Sequence, residues 1–216
     1  MYILAAAASF ILTALVLQSV RIIEKRAGVS AAENKTGLGF AVFVFIFILA
    51  ANIYLSYIKA APGYFLLLNT LLLTAVVSFY QDLKYKEIED EIHIISLAAA
   101  LIGLVIKGFS PLDSLLGLLA GGGTLLLIAV LTKGGMGGAD IKLNAVYGLI
   151  LGLKLTVLSL LIAFTAGALI SLLLIMLKLK GRKDVIPFSP FLSAGALLSF
   201  TFGESIINIY LNLILV

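Results

Sequence analysis

The 216-residue chain contains no cysteine and no tryptophan, and its single histidine is His93. Without cysteine, disulfides, thiolate nucleophiles and cysteine-ligated metals are excluded. One histidine does not supply an ordinary zinc site, and the Gly-x-Ser-x-Gly elbow of a serine triad is missing. The glycine-rich stretch before Asp140 lacks the Gly-Lys-Ser/Thr of a phosphate-binding loop. We therefore predict neither a metal nor a cofactor, and we interpret His93 as an interfacial side chain.

Charge is also scarce. Charged residues make up 12% of the chain and hydrophobic residues 62%, against about 25% and roughly 45–50% in soluble domains. Because too few polar residues remain to cover a water-soluble surface, the lipid bilayer must be the solvent, and the backbone must be satisfied within helices or a closed barrel. Long unbroken apolar runs favour helices over the alternating strands of a barrel. The sequence predicts an all-α, polytopic membrane helix bundle, and nothing in it indicates a nucleic-acid partner.

The apolar runs predict the transmembrane helices, each of which needs about 20 residues. Eight candidates are present: Tyr2–Ile22, Leu38–Ile58, Gly63–Tyr80, Ile92–Ile106, Ser114–Leu131, Leu143–Leu153, Thr156–Leu177 and Phe188–Leu215. The fifth contains Gly121-Gly122-Gly123, which is compatible with close helix contact or bending and equally with ordinary small-residue helix packing. No soluble domain and no internal repeat is evident, so we expect a single membrane domain over residues 1–216.

The positions of Lys and Arg predict the orientation. Positive charges follow the first apolar run instead of preceding it, which favours an anchor with its N-terminus outside over a cleavable signal. Counting Arg21 at a span end, 12 of the 15 Lys and Arg residues lie on the side with loops 23–37, 81–91, 132–142 and 178–187. This excess marks the cytosolic face, and we expect a multi-pass protein of the plasma (inner) membrane.

Two of the 11 carboxylates, Asp82 and Asp140, lie where a predicted span joins a cytosolic loop. An ionisable residue near the hydrocarbon is costly and is a functional candidate. Two carboxylates that meet share a proton, so one accepts a proton from water while the other donates to the scissile amide. The alternatives are a solvated loop acid at Asp82 and a helix N-cap at Asp140. The remaining acids are interpreted as solvated loop residues.

Three segments, in this order, resemble the type IV prepilin peptidase family of Gly-x-Gly-Asp membrane aspartyl proteases. They are Asp82–Ile88 (DLKYKEI), Gly137–Leu143 (GGADIKL) and Ile186–Leu192 (IPFSPFL). The resemblance implies that Asp82 and Asp140 are the catalytic acids. It also implies site-shaping roles for two residue pairs: Gly137 and Gly138, which would let the second acid approach the first, and Pro187 and Pro190, which would shape the bundle near the site.

The resemblance further implies a function, the removal of a short basic leader from a prepilin-like or preflagellin-like protein at the cytosolic membrane face. Some residues depart from the family pattern: Glu89-Asp90 stand where Pro-Asn is usual, Ser189 replaces a glycine, and Gly-Gly-Ala-Asp is similar to the archaeal preflagellin variant. The loop Ile23–Gly37 is short and free of cysteine, where bacterial members often carry a domain associated with N-methylation. We therefore expect a peptidase-only form.

Two other functions remain open from the sequence. A proton- or cation-coupled transporter would place carboxylates deep within spans and often has an inverted repeat, and the sequence indicates neither. A non-catalytic scaffold for pilus or secretion assembly would tolerate loss of either acid. The acidic cluster that follows Asp82 either attracts a basic leader or is a solvated loop; its members are Glu87, Glu89, Asp90 and Glu91.

Overall fold

A computed structural model describes residues 18, 46, 48–50, 53, 62–85, 88–108, 110–181, 184 and 186–214. Apart from a few single positions, the first two predicted spans lie outside these residues. The regular structure over residues 62–214 is helical, and consists of α1 (Pro62–Tyr85), α2 (Asp90–Lys107), α3 (Pro111–Leu131), α4 (Gly138–Met176) and α5 (Ser189–Ile214).

Four of these helices, α1, α3, α4 and α5, are long and apolar enough to cross a membrane. The fifth, α2, has 18 residues and carries Asp90 and Glu91 in its first turn and Lys107 in its last. The prediction of a multi-spanning all-α protein is thus confirmed for the described part of the chain. The count of eight spans and the outside N-terminus stay predictions.

The sixth and seventh predicted spans lie in α4, which consists of two helical arms separated by a break at Gly152. That residue has φ 74° and ψ 175°, a backbone conformation outside the helical region that glycine adopts readily. Side-chain contacts with α5 show that the chain turns back there. Tyr147 and then Lys154 contact Ser193 and Glu204, after which Phe164 returns to Phe188.

The two arms of α4, residues 138–151 and 153–176, are therefore antiparallel. Asp113, at the start of α3, stabilises the turn between them. The N–H of Leu153 has no helical acceptor across the break, and it donates instead to Asp113 Oδ1 at 3.1 Å. Asp113 is exposed, as the sequence-based interpretation expects, and its carboxylate also caps the second arm of α4.

The first arm of α4 packs on α3 through glycines at backbone distance. A Cβ on Gly117 would collide with the carbonyl oxygen of Gly148, and a Cβ on Gly148 with that of Gly117. One turn further, Asn144 Nδ2 donates to the carbonyl of Gly121 at 3.0 Å. Close contact at the predicted glycine run is thus confirmed for Gly121, whereas a Cβ on Gly123 would meet nothing within 4 Å.

One end of the bundle, called the site end here, is where α1 ends and α2, α4 and α5 begin. Asp82 near the end of α1 bonds to the first residue of α5, and Lys142 in α4 bonds to the first residue of α2. The break at Gly152 lies at the opposite end. The fold therefore brings the two aspartate-bearing segments, 58 residues apart in sequence, to the same end of the bundle.

Candidate functional site

Asp82 lies in the last turn of α1 and is half-buried. Its Oδ2 accepts a hydrogen bond from the backbone N–H of Ser189 at 3.2 Å. The Ser189 hydroxyl lies 3.4 Å from the carbonyl oxygen of Ser78, one turn before Asp82, and donates to it. Because the first N–H groups of a helix have no intrahelical acceptor, Asp82 occupies the place of a capping group for α5.

The chain that leaves α1 is fixed by a second polar side chain. Gln81 is almost completely buried, and its Oε1 accepts the backbone N–H of Glu89 at 3.2 Å. This bond ties the residue before α2 to the last turns of α1. Nothing in the local sequence predicts it, because a glutamine after an apolar run is usually exposed.

Asp140 is the third residue of α4 and is half-buried. The helix begins at Gly138 with Gly137 as its N-cap, so the alternative interpretation of Asp140 as the N-cap residue is wrong. An acid in the first turn of a helix is favoured by the partial positive charge of the N-terminus. Both aspartates therefore lie at helix N-termini, Asp140 in α4 and Asp82 against α5.

The two carboxylates lie at the same end of the bundle, close enough to interact electrostatically. Two carboxylates with one proton between them offer an acceptor and a donor within one site. Such a pair activates water without a metal or a covalent intermediate. Within the described part of the chain, no group of three or more His, Cys, Asp or Glu residues is placed to hold a metal ion.

The glycine-rich loop before Asp140 reaches the site through one residue. A Cβ on Gly137 would lie 3.3 Å from Asp140 Oδ2, whereas a Cβ on Gly138 would meet nothing within 4 Å. Positive φ values in the loop occur at Lys133 (53°) and Gly134 (99°), and Gly137 is extended at φ −68°. Of the two glycines named from the sequence, Gly137 lies against the acid and Gly138 borders open space.

The segment from Pro187 to Pro190 borders the other acid. It supplies the Ser189 N–H that holds Asp82, and Pro190 stands in the first turn of α5, where proline is tolerated. Phe188 packs against Phe164 with ring centroids 5.4 Å apart, and a Cβ on Gly167 would lie 3.0 Å from its ring. The segment thus joins α5 to α1 and to the second arm of α4.

Part of the acidic cluster is engaged within the protein. Lys142 Nζ lies 2.6 Å from Asp90 Oδ1, and both side chains are more than half exposed. The hydrogen bond and the charge of Lys142 hold the pKa of the Asp90 carboxyl below its usual range. Asp90 is thus an exposed acid that also forms an ion pair, while Glu87 lies outside the described residues.

His93 differs from its predicted place at the interface. It is 5% exposed, with neither ring nitrogen hydrogen-bonded. Together with Asp90 and Lys142 it lines a cavity of about 300 Å³ whose other walls are mainly aliphatic. The cavity lies beside the start of α4, where its lining residue Lys142 follows Asp140 by two residues.

Residues 69–172 match the family model described as the type IV leader peptidase family. This stretch contains both acids and ends before Pro187. Three relatives are named prepilin leader peptidase/N-methyltransferase. The protein from Bacillus subtilis is 39% identical over 110 residues, 49% of this chain and 44% of the relative. The protein from Aeromonas salmonicida is 32% identical over 161 residues, which are 71% of this chain and 55% of the relative. The protein from Legionella pneumophila is 40% identical over 77 residues, which are 36% of this chain and 27% of the relative.

The chain spans about half the length of the first and second of these relatives. No solved structure matches it.

Proposed function

We propose, on the premise that the chain belongs to the type IV leader peptidase family, that it is an aspartic endopeptidase for prepilin-like or preflagellin-like proteins. The observation that carries the proposal is that Asp82 and Asp140 come from different helices and lie at one end of the bundle within electrostatic range of each other. Their chemistry and the name of the matched family point to the same reaction, hydrolysis of a leader peptide bond.

In the proposed mechanism, a water molecule lies between the two carboxyl groups. The ionised carboxylate takes a proton from this water as it attacks the scissile carbonyl carbon, and the protonated partner donates to the carbonyl oxygen. Proton transfer to the amine then releases the leader. No acyl-enzyme forms, which agrees with the absence of any cysteine and with the lack of a serine elbow.

We also propose that the site end faces the cytosol. The predicted cytosolic loops 81–91, 132–142 and 178–187 connect helices at this end, whereas Lys107 and Lys154 belong to the opposite end. A substrate would present its basic leader to the acids from the cytosol while its apolar helix packs laterally against the bundle. Because Asp90 is paired with Lys142, the acidic cluster has less unpaired negative charge to attract the leader than its sequence indicates.

N-methylation is not part of the proposal. The matched relatives carry both activities in their names, but the region matched by the family model contains the acid pair. The loop Ile23–Gly37, which lies outside the described residues, is short and free of cysteine. We therefore propose peptidase activity alone.

The test is leader removal from a co-expressed prepilin-like protein, read by the mass of the product and its new N-terminus. Wild type is expected to process the substrate, and Asp82→Asn and Asp140→Asn are each expected to leave it uncut. Asp184→Asn is the matched control, because Asp184 is an exposed loop acid near the same end that accepts a hydrogen bond from Gly181. Full processing by either site variant rules out the acid pair and favours a non-catalytic scaffold.

A further inference from the structure

We infer that the Asp90–Lys142 ion pair is a positioning device that holds the segments bearing Asp82 and Asp140 together. The inference rests on the proposed function, since it assigns the pair a role in the geometry of that acid site. Neither residue is placed at the reacting atoms. Both act through the backbone segments that carry the two acids.

The pair connects these segments two residues after Asp140 and eight residues after Asp82. Lys142 follows Asp140 by two residues in the first turn of α4, and Asp90 is the first residue of α2, at the far end of the connection that begins at Asp82. The Nζ–Oδ1 distance is 2.6 Å across 52 residues of sequence. An ion pair at this place therefore constrains the approach of one acid-bearing segment to the other.

Apolar packing of Met136, Ala139 and Ile141 against the core fixes the start of α4 on one side. Its N-cap is Gly137, and no side chain caps the helix. The preceding loop is largely exposed from Thr132 to Gly138. A Cβ on Gly138 would meet nothing within 4 Å, so the space that a side chain would occupy there is open. Asp82, by contrast, is already held by Ser189.

Both members of the pair are charged. An amide would accept a hydrogen bond from Lys142 but would not neutralise its charge. The carboxylate therefore strengthens a contact that an asparagine would make more weakly.

The same helix provides a matched control at the opposite end of the bundle. Lys154 Nζ lies 2.7 Å from Glu204 Oε2, and the side chains are 53% and 64% exposed, against 52% and 66% for Lys142 and Asp90. Exposed pairs of this kind contribute little to stability wherever they occur. A difference in activity between the two sets of variants would therefore arise from position and not from ion pairing as such.

The first experiment measures kcat and KM on a prepilin-like substrate in proteoliposomes at pH 7. Asp90 is ionised at this pH, because its folded pKa is lowered and its unfolded pKa is about 3.9. The contribution of the ion pair is therefore fully present at pH 7 and is lost only as the pH falls through the folded pKa. The variants are Asp90→Ala, Asp90→Asn, Lys142→Met, the combination of Asp90→Ala with Lys142→Met, and the reversed pair Asp90→Lys with Lys142→Asp. The control set is Lys154→Met, Glu204→Ala and their combination.

We expect each single change at the site end to lower kcat about three- to tenfold with little change in KM, because misplaced catalytic groups lose turnover more than binding. The double variant should be no worse than the worse single one, as expected for coupled residues. Asp90→Asn and the reversed pair should recover part of the loss, and the control set should stay within about twofold of wild type. Site-end variants that match the control set, or losses that simply multiply, overturn the inference.

A second measurement does not depend on cleavage. Since the chain has no cysteine, spin labels can be attached at Ile94→Cys on α2, where the native side chain is 66% exposed, and at Gly138→Cys. The distance distribution between the labels should be narrow in wild type, broad with Asp90→Ala or Lys142→Met, narrow again with the reversed pair, and unchanged with Glu204→Ala.

The two measurements separate the two claims. If the label distance distribution broadens in Asp90→Ala or Lys142→Met but wild type does not cleave the substrate, the positioning role is retained and the proposed function is contradicted. Cleavage by wild type with narrow distributions in every variant would contradict the positioning role alone.

Discussion

At the scale of single residues, the acids were accessible to sequence reasoning and their partners were not. Asp82 and Asp140 are polar residues at the ends of apolar runs, and their cost near the hydrocarbon makes them conspicuous. Ser189, which holds Asp82, lies 107 residues away. Lys142 and Asp90 are separated by 52. No local pattern relates residues so far apart, since only the packing of helices decides which of them meet.

Glycines in α3 provide a residue-scale prediction about stability. Gly117→Ala should destabilise the protein, because the added Cβ would collide with the backbone of Gly148, and overpacking typically costs about 1–3 kcal/mol. The measurement is the thermal unfolding midpoint in detergent. Gly123→Ala is the control in the same helix, because a Cβ there meets nothing within 4 Å. The control should be neutral or slightly stabilising, since alanine is the better helix former.

If the two alanine variants unfold at the same temperature, α3 and the first arm of α4 do not pack at backbone distance.

At the scale of elements, apolar runs predicted the helices but not their ends. The third predicted span, Gly63–Tyr80, ends five residues before the end of α1. The sixth, Leu143–Leu153, begins five residues after the first residue of α4. Hydropathy reports the free energy of transfer into lipid, whereas a helix continues as long as its backbone hydrogen bonds are made. Both acids therefore lie inside helices, where the sequence placed them at loops.

The sequence predicts the position of the turn in α4 but not the contact that stabilises it. The boundary predicted between the sixth and seventh spans, at Leu153, adjoins Gly152, the residue that breaks the helix. The reason for a turn at this place is Asp113, which caps Leu153 from another helix. An acid near a turn gives no signal of such a contact.

The cap at Asp113 leads to a second stability prediction. Asp113→Ala removes the acceptor of the Leu153 N–H and should cost about 0.5–2 kcal/mol, the usual range for loss of a helix cap. Asp113→Asn keeps an acceptor oxygen and should cost less. Thermal unfolding of the purified variants checks the order. Equal unfolding temperatures for wild type and Asp113→Ala would show that the second arm of α4 does not depend on this cap.

At the scale of the whole molecule, the helices separate two chemically different ends. The site end holds the two aspartates and the Asp90–Lys142 pair. The opposite end holds Asp113, the break in α4 and the Lys154–Glu204 pair. The count of Lys and Arg predicts which end faces the cytosol, and this orientation remains to be measured.

Single cysteines in the cysteine-free chain provide that measurement. Lys180→Cys lies in the exposed loop after α4, at the site end, and Ser110→Cys lies in the exposed connection before α3, at the opposite end. In intact cells, a membrane-impermeant maleimide should label position 110 and should reach position 180 only after permeabilisation. The reverse pattern would place the acid pair outside the cytosol and contradict the proposed route of the substrate.

The central claim is that Asp82 and Asp140 act as one catalytic pair, and the most direct test is a double-mutant cycle on kcat with purified protein in proteoliposomes. Each single change, Asp82→Asn or Asp140→Asn, should lower kcat on a prepilin-like substrate by about 10³-fold or more. The combined variant should be no worse than either one, because residues that act as a unit are lost together. Substantial turnover by either single variant, or a combined loss equal to the product of the two, would contradict the pair.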